Sequence, residues 1–198
     1  MLNSTFKLIR LTIGYTVTDV AKEAECSLSY ILKTENSSVH ISKRLINQLS
    51  KTYDIPLSKV QEISNLQDYG YTRAGIISEI SDFYVKNDFI PTPKKYVAED
   101  PEVLIKLIRI VTGQTLSDVA NKVGSSEQKI SAFESFDIEI TKKEHHKLAK
   151  AFNMTKNEMD KLINMYDNGN SRVELLSEIS EYYIQKEVQE EVKTKGLK

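Results

Sequence analysis

The sequence contains one cysteine, no tryptophan, four prolines and seven glycines in 198 residues. A lone thiol closes no internal disulfide and supplies no Cys-based zinc site, so a reducing, cytoplasmic setting is expected. So little loop punctuation leans the chain towards helix. Charge of one sign is lacking too: 27 basic and 28 acidic residues nearly cancel, and no whole-molecule field points to nucleic acid or an anionic membrane. No apolar run approaches the roughly 18 residues of a membrane span. Lys7 and Arg10 interrupt the apolar stretch nearest the start, so no signal peptide is expected. Catalytic signatures are missing as well: no Gly-rich phosphate loop, no nucleophile elbow, no paired carboxylates in a plausible cleft. His40, His145 and His146 lack ligand spacing, since neighbours on a helix point about 100° apart. The expectation is no enzyme, no cofactor and no metal.

What the chain does contain is a repeat. Shifted by 99 positions, KLIRLTIGYTVTDVA (7–21) lies on KLIRIVTGQTLSDVA (106–120), and RAGIISEISDFY (73–84) lies on RVELLSEISEYY (172–183). Between residues 7 and 84 the gapless match holds 25 identities in 78 positions. Many other pairs are like for like, such as Tyr53/Phe152 and Phe83/Tyr182. The same domain is encoded twice: a first copy over 1–86, a proline-containing linker over 87–99, and a second copy over 100–198 with an extended last helix. The first copy carries 10 basic and 9 acidic residues, whereas residues 100–186 carry 12 and 14. The first is therefore +1 and the second −2.

Each copy reads as six helices, because no hairpin signal or sustained period-two run appears. Phe6, Ile9 and Ile13 share one face of a helix over 2–13, and Gly14 and Gly113 follow at stop positions. Thr16-Val-Thr-Asp19 and Thr115-Leu-Ser-Asp118 are capping-box variants opening the second helix, and Ser27 and Ser126 cap a short third. Ser42 and Thr141 open the fourth, Pro56 or Thr155 the fifth, with the proline in the first turn, and Thr72 or Ser171 the sixth. Two short helices joined tightly, with small Ala21 or Ala120 where they must cross closely, make a helix-turn-helix.

The stretches LIRLTIGYTVTDVAKEAECSLSYILKTENS (8–37) and LIRIVTGQTLSDVANKVGSSEQKISAFESF (107–136) resemble the Cro/C1-type (XRE, phage-repressor-like) family. The resemblance rests on the first-helix Arg, the Gly before Thr, Asp-Val-Ala, the Ser opening helix three, and its Ile and Glu. It covers about 6–63 and 105–162, leaving the sixth helices and the linker outside. It implies an all-α chain of two tandem lambda-repressor-like helix-turn-helix domains, each of five helices plus a sixth. It further implies salt bridges Arg10–Glu35 and Arg109–Glu134, which are structural rather than base-reading.

Carried over from the family, base edges are read by Leu28, Ser29 and Lys33 in the first copy and by Glu127, Gln128 and Ala132 in the second. Tyr30 and Lys129 flank them, and Thr16, Ser27, Asn36, Thr115 and Ser126 complete the expected DNA contact. Gln128 suits adenine, Lys33 guanine or phosphate, Leu28 a thymine methyl, while Glu127 would repel phosphate. For phosphate positioning, residues 27–44 hold Lys33, Lys43 and Arg44 against Glu35, with His40 nearby. Residues 126–143 hold Lys129, Lys142 and Lys143 against Glu127, Glu134, Asp137 and Glu139. The stretches sum to +2 and −1, which makes the first copy better suited to DNA. Two departures from the family pattern favour a protein contact instead. Val17 and Leu116 stand where a phosphate-holding Gln is usual, and Asn36-Ser37 and Ser135-Phe136 replace Asn-Gly. With Leu28, the residues Val17, Leu116 and Phe136 are expected to be exposed apolar surface. Cys26 is expected in the core.

A stripe of Ile76, Ile77, Ile80, Phe83 and Tyr84 recurs as Leu175, Leu176, Ile179, Tyr182 and Tyr183 on the sixth helices. Either each stripe closes its own bundle, or the sixth helices assemble on each other or on another chain. The last helix is expected to run on through Ile184, Val188 and Val192. An extended 13-residue linker reaches roughly 40 Å, and half-sites one DNA turn apart are about 34 Å apart. The expectation is a sequence-specific double-stranded DNA-binding transcriptional regulator acting as a single-chain pseudo-dimer on unlike half-sites. The alternative is an antirepressor- or antitoxin-like interaction module on a duplicated scaffold that has lost much of its DNA affinity.

Overall fold

The structure, a computed structural model, describes residues 2–87, 104–135 and 137–195. The linker beyond Asn87 and the expected exposed residue Phe136 lie outside the described residues. The chain is all-α. It divides into two compact units, Met1–Val97 and Ala98–Lys198. Unit one contains α1 (Leu2–Ile13), α2 (Val17–Glu23), α3 (Leu28–Glu35), α4 (Lys43–Thr52), α5 (Leu57–Asp68) and α6 (Arg73–Lys86). Unit two contains α7 (Leu104–Thr112), α8 (Leu116–Val123), α9 (Glu127–Glu134), α10 (Lys142–Ala151), α11 (Lys156–Asp167) and α12 (Arg172–Lys195).

The 99-residue offset is preserved in the backbone. Helix starts pair as Leu28/Glu127, Lys43/Lys142, Leu57/Lys156 and Arg73/Arg172. Positive-φ positions pair the same way: Gly14/Gly113, Glu25/Gly124, Asp54/Asn153 and Gly70/Gly169. Gly124 carries the left-handed turn that ends α8 with φ +69°, whereas Glu25 does so with φ +49° despite its side chain. One turn has thus been kept with and without glycine.

Local signals set the helix boundaries. Thr16, Thr115 and Thr141 form reciprocal capping boxes with Asp19, Asp118 and Glu144. Ser27, Ser126, Ser42, Thr155 and Thr72 each accept the backbone N–H three residues on. Pro56 stands at the N-cap of α5 rather than inside its first turn, and no side chain caps that helix. Its missing N–H lies at a helix end, where no intrahelical partner was needed.

In unit one, α1 packs on α3, α5 and α6, burying Phe6, Leu8, Ile9 and Ile13. In unit two, α7 does the same with α9, α11 and α12. Tyr53, at the end of α4, lies beside Phe6 and Tyr15, with centroids 6.1 and 6.2 Å apart. The Tyr84 hydroxyl donates to the Tyr53 carbonyl at 2.6 Å, and the Tyr183 hydroxyl repeats the bond to the Phe152 carbonyl at 2.6 Å.

These bonds decide the role of the sixth helices. Ile76, Ile77, Ile80 and Tyr84, like Leu175, Leu176 and Ile179, are buried, while Phe83, Tyr182 and Tyr183 are half-buried. Since α6 lies on α1 and α5, and α12 on α7 and α11, each stripe closes its own bundle. Of the two alternatives, this packing is the one in which a five-helix set leaves an apolar face that the sixth helix covers. Beyond that stripe α12 runs on to Lys195, with Val188 and Val192 exposed and Ile184 half-buried. Among the described residues, no helix is long and apolar enough to cross a membrane, and no cluster of metal-ligating side chains occurs.

Candidate nucleic-acid interface

Helices α2 and α3 are joined by Ala24–Ser27 and pack on each other, as do α8 and α9. What holds α3 is an ion pair. Arg10 Nε and Nη2 donate to the two Glu35 carboxylate oxygens at 2.6 and 2.9 Å, and Nη1 donates to the Tyr15 carbonyl at 2.9 Å. Both side chains are buried, so the bidentate geometry offsets a desolvation cost that a looser pair would not. Arg109 repeats the arrangement on Glu134 at 2.7 and 2.8 Å and on the Gln114 carbonyl at 3.3 Å. The Glu134 hydrogen bond raises the Arg109 pKa. In both units the pair ties the first helix to the end of the third and to the turn before the second. Asn3 adds a further tie in unit one, donating to the Thr34 and Val39 carbonyls at 2.9 and 3.1 Å.

With Ile31, Thr34 and Glu35 turned inward, α3 presents Leu28, Ser29, Leu32, Lys33 and Asn36 outward. Tyr30 is half-buried at the edge of that face. The same turn of α9 exposes Glu127, Gln128, Lys129 and Ser131, with Ala132 half-buried. Expected base readers are therefore accessible in both units. Lys33, His40, Lys43 and Arg44 are exposed and have no acidic partner among the described residues.

In unit two the Lys129 ammonium donates to the Glu144 carboxylate at 2.8 Å, linking α9 to α10. In unit one Ser27 caps the first turn of α3 and Ser42 caps that of α4. Both offer unpaired backbone N–H groups and the positive end of a helix dipole. Lys43 and Arg44 sit in that first turn, where a helix by itself favours acidic residues; α4 has none there. The fold does not ask for these cations at that place.

Three of the expected contact residues make bonds within their own unit. The Thr16 hydroxyl donates to Asp19 at 2.6 Å and accepts from its backbone N–H; Thr115 and Asp118 do likewise at 2.7 Å. Each hydroxyl proton is thereby committed beside a carboxylate, and both residues act as helix caps. Lys129 is held by Glu144, and its ammonium also lies over the Phe133 ring at 5.4 Å. With Lys129 and the Thr141 groups bonding it, the Glu144 carboxyl is held down at about 2. Lys129 is therefore a bound cation rather than a free one.

Cys26 is only half-buried, on the short connection between α2 and α3, though partial burial still raises its thiol pKa. Val17 and Leu116 are half-buried rather than exposed. Ser37 holds φ +56° at the position where the family pattern places glycine.

These pairings widen the asymmetry between the units. Glu35 is neutralised by Arg10, so the exposed charges over 27–44 are the three cations Lys33, Lys43 and Arg44. Over 126–143, Glu134 is taken by Arg109 and Lys129 by Glu144. Lys142 and Lys143 are left against Glu127, Asp137 and Glu139. The exposed sums become +3 and −1. Two residues of this surface escaped sequence reasoning. Leu32 is exposed one turn beyond Leu28, and the i,i+4 spacing was the available signal. Glu144 binds across helices, for which the sequence carries no signal. Comparison with protein-family models, curated proteins and solved structures gives no match for this chain.

Proposed function

We propose that this chain binds double-stranded DNA sequence-specifically and regulates transcription, with unit one as the stronger contact. The observation that carries the reading is the exposed, unpaired set Lys33, Lys43 and Arg44, on α3 and in the first turn of α4. Phosphates are met there by free cations and helix N-termini, and the outward face of α3 is left for base edges. The resemblance of residues 8–37 and 107–136 to Cro/C1-type helix-turn-helix sequences points the same way. Two unlike recognition helices on one chain make a pseudo-dimer suited to unlike half-sites.

A second reading draws on unit two. Its matching face carries Glu127, Asp137 and Glu139, with Ile138 exposed among them. That surface suits a protein partner better than a phosphate backbone. The test for the whole chain is anisotropy titration on a pool of genomic duplexes at low and moderate salt. Salt-sensitive binding that enriches particular fragments is the expected result. Absence of binding at low salt would transfer the function to the protein-contact reading.

A further inference from the structure

Tyr69 and Tyr71 are 76% and 52% exposed at the corner between α5 and α6. Unit two supplies an internal control for why they are there. Its matching corner has Asn168 and Asn170 on the same backbone. Tyr69, Gly70 and Tyr71 donate their N–H groups to the Asn65, Gln67 and Leu66 carbonyls. Asn168, Gly169 and Asn170 donate to those of Asn164, Tyr166 and Met165, and both glycines hold φ +79°. The turn therefore forms without tyrosine, and neither ring is needed to make it.

Tyr71 is also seated at the expense of its own helix. A Cβ at Gly75, in the first turn of α6, would stand 3.3 Å from the Tyr71 ring, so the missing side chain leaves room for the ring. Unit two has Glu174 at this position, and its carboxylate closes a capping box on Ser171 at 2.7 Å. Unit one lacks that carboxylate and places glycine inside a helix, where it is unfavourable. Two exposed rings that the turn does not require, one of them seated by a substitution that weakens its helix, make a contact surface.

The chain itself supplies an occupant. Extended segments containing proline dock on aromatic side chains, because their conformation is already restricted. Residues 91–95 read Pro-Thr-Pro-Lys-Lys. Their two cations are matched by Asp68, next to Tyr69, an exposed carboxylate with no cation on it among the described residues. Length agrees as well. From Gly75 to Asn87 the helix rises about 18 Å, and an extended chain returning from Asn87 covers that in about six residues, which brings it to Pro93.

We propose that Tyr69 and Tyr71 form a docking ledge for residues 91–95 of the same chain, with the prolines on the rings and the lysines towards Asp68. Docking shortens the free tether between the two units to residues 96–103, about 26 Å at full extension.

The experiment is limited trypsin digestion of the full-length chain, with cleavage after Lys94 and Lys95 followed by mass spectrometry. The first comparison is the Tyr69→Asn, Tyr71→Asn variant, which copies the residues unit two already uses at this turn, so its denaturation midpoint should match the parent's. Cleavage samples the undocked fraction, so this variant should be cut about tenfold faster at the two lysines, the worth of two aromatic contacts, and no faster elsewhere. Gly75→Glu should also speed cutting there, because its side chain displaces Tyr71, although it strengthens α6 by completing the capping box with Thr72. Faster cutting in a more stable variant separates docking from loss of fold. Equal cutting of the parent and the tyrosine variant would overturn the proposal. Protection that fades when the parent is diluted would overturn it as well, by moving the segment onto the ledge of a second copy.

Discussion

The salt dependence of DNA binding can be worked out from the side chains. Lys33, Lys43 and Arg44 are the free cations of the unit-one surface. If each neutralises one phosphate, the slope of log affinity against log salt is about −2.7, and raising salt from about 50 to about 200 mM weakens binding about 40-fold. Replacing Lys43 and Arg44 by Gln leaves one such contact, a slope of about −0.9 and a loss of about 3.5-fold over the same range. Both residues are exposed in the first turn of α4, where a positive charge opposes the helix dipole, so the double variant should keep its fold. Fluorescence anisotropy on one duplex at four or five salt concentrations reads the slope directly. The matching Lys142→Gln, Lys143→Gln variant should change it less, because Glu127, Asp137 and Glu139 already offset those lysines. A Lys43/Arg44 variant with the parental slope would refute the phosphate assignment. Equal effects in the two units would refute the asymmetry.

Three further outcomes follow from the packing and the turns. Ile80 and Ile179 are fully buried, so Ile80→Asp or Ile179→Asp should cost upwards of about 4 kcal/mol and unfold its own unit. Chemical denaturation of each variant should show one unit melting while the other persists; two folded but separated units would restore the assembly role. Glu25→Gly relieves a left-handed backbone that Gly124 already occupies in unit two, and should raise stability by about 0.5–1 kcal/mol, read as a shift in the denaturation midpoint. Glu144 titrates at about 2, below the ordinary glutamate range, so its stabilising contribution is full above pH 4.5 and is lost as pH falls towards 2. NMR titration of its carboxyl should show this low midpoint, and Lys129→Ala should move it upward.

Much of the structure is legible because it is local. Thr16, Ser27, Ser42, Thr141 and Ser171 open helices through bonds to groups three residues on, and such contacts depend on spacing alone. The duplication lies in the sequence as well, and the paired helix starts and positive-φ positions repeat it. The Arg–Glu pairs, 25 residues apart, came from family resemblance rather than from spacing.

Other features depended on where distant segments meet. Whether the stripe around Ile80 closes its own bundle or faces a partner turns on α1 and α5 lying beneath it, and both alternatives have the same periodicity. Lys129 counts as a free cation along the sequence and becomes a bound one because α10 brings Glu144 within 2.8 Å. Capping and helix phase act over three or four residues and were set by the sequence itself. The usable charge on each recognition surface is a sum over helices that meet only in the fold, so tertiary structure alone decided it.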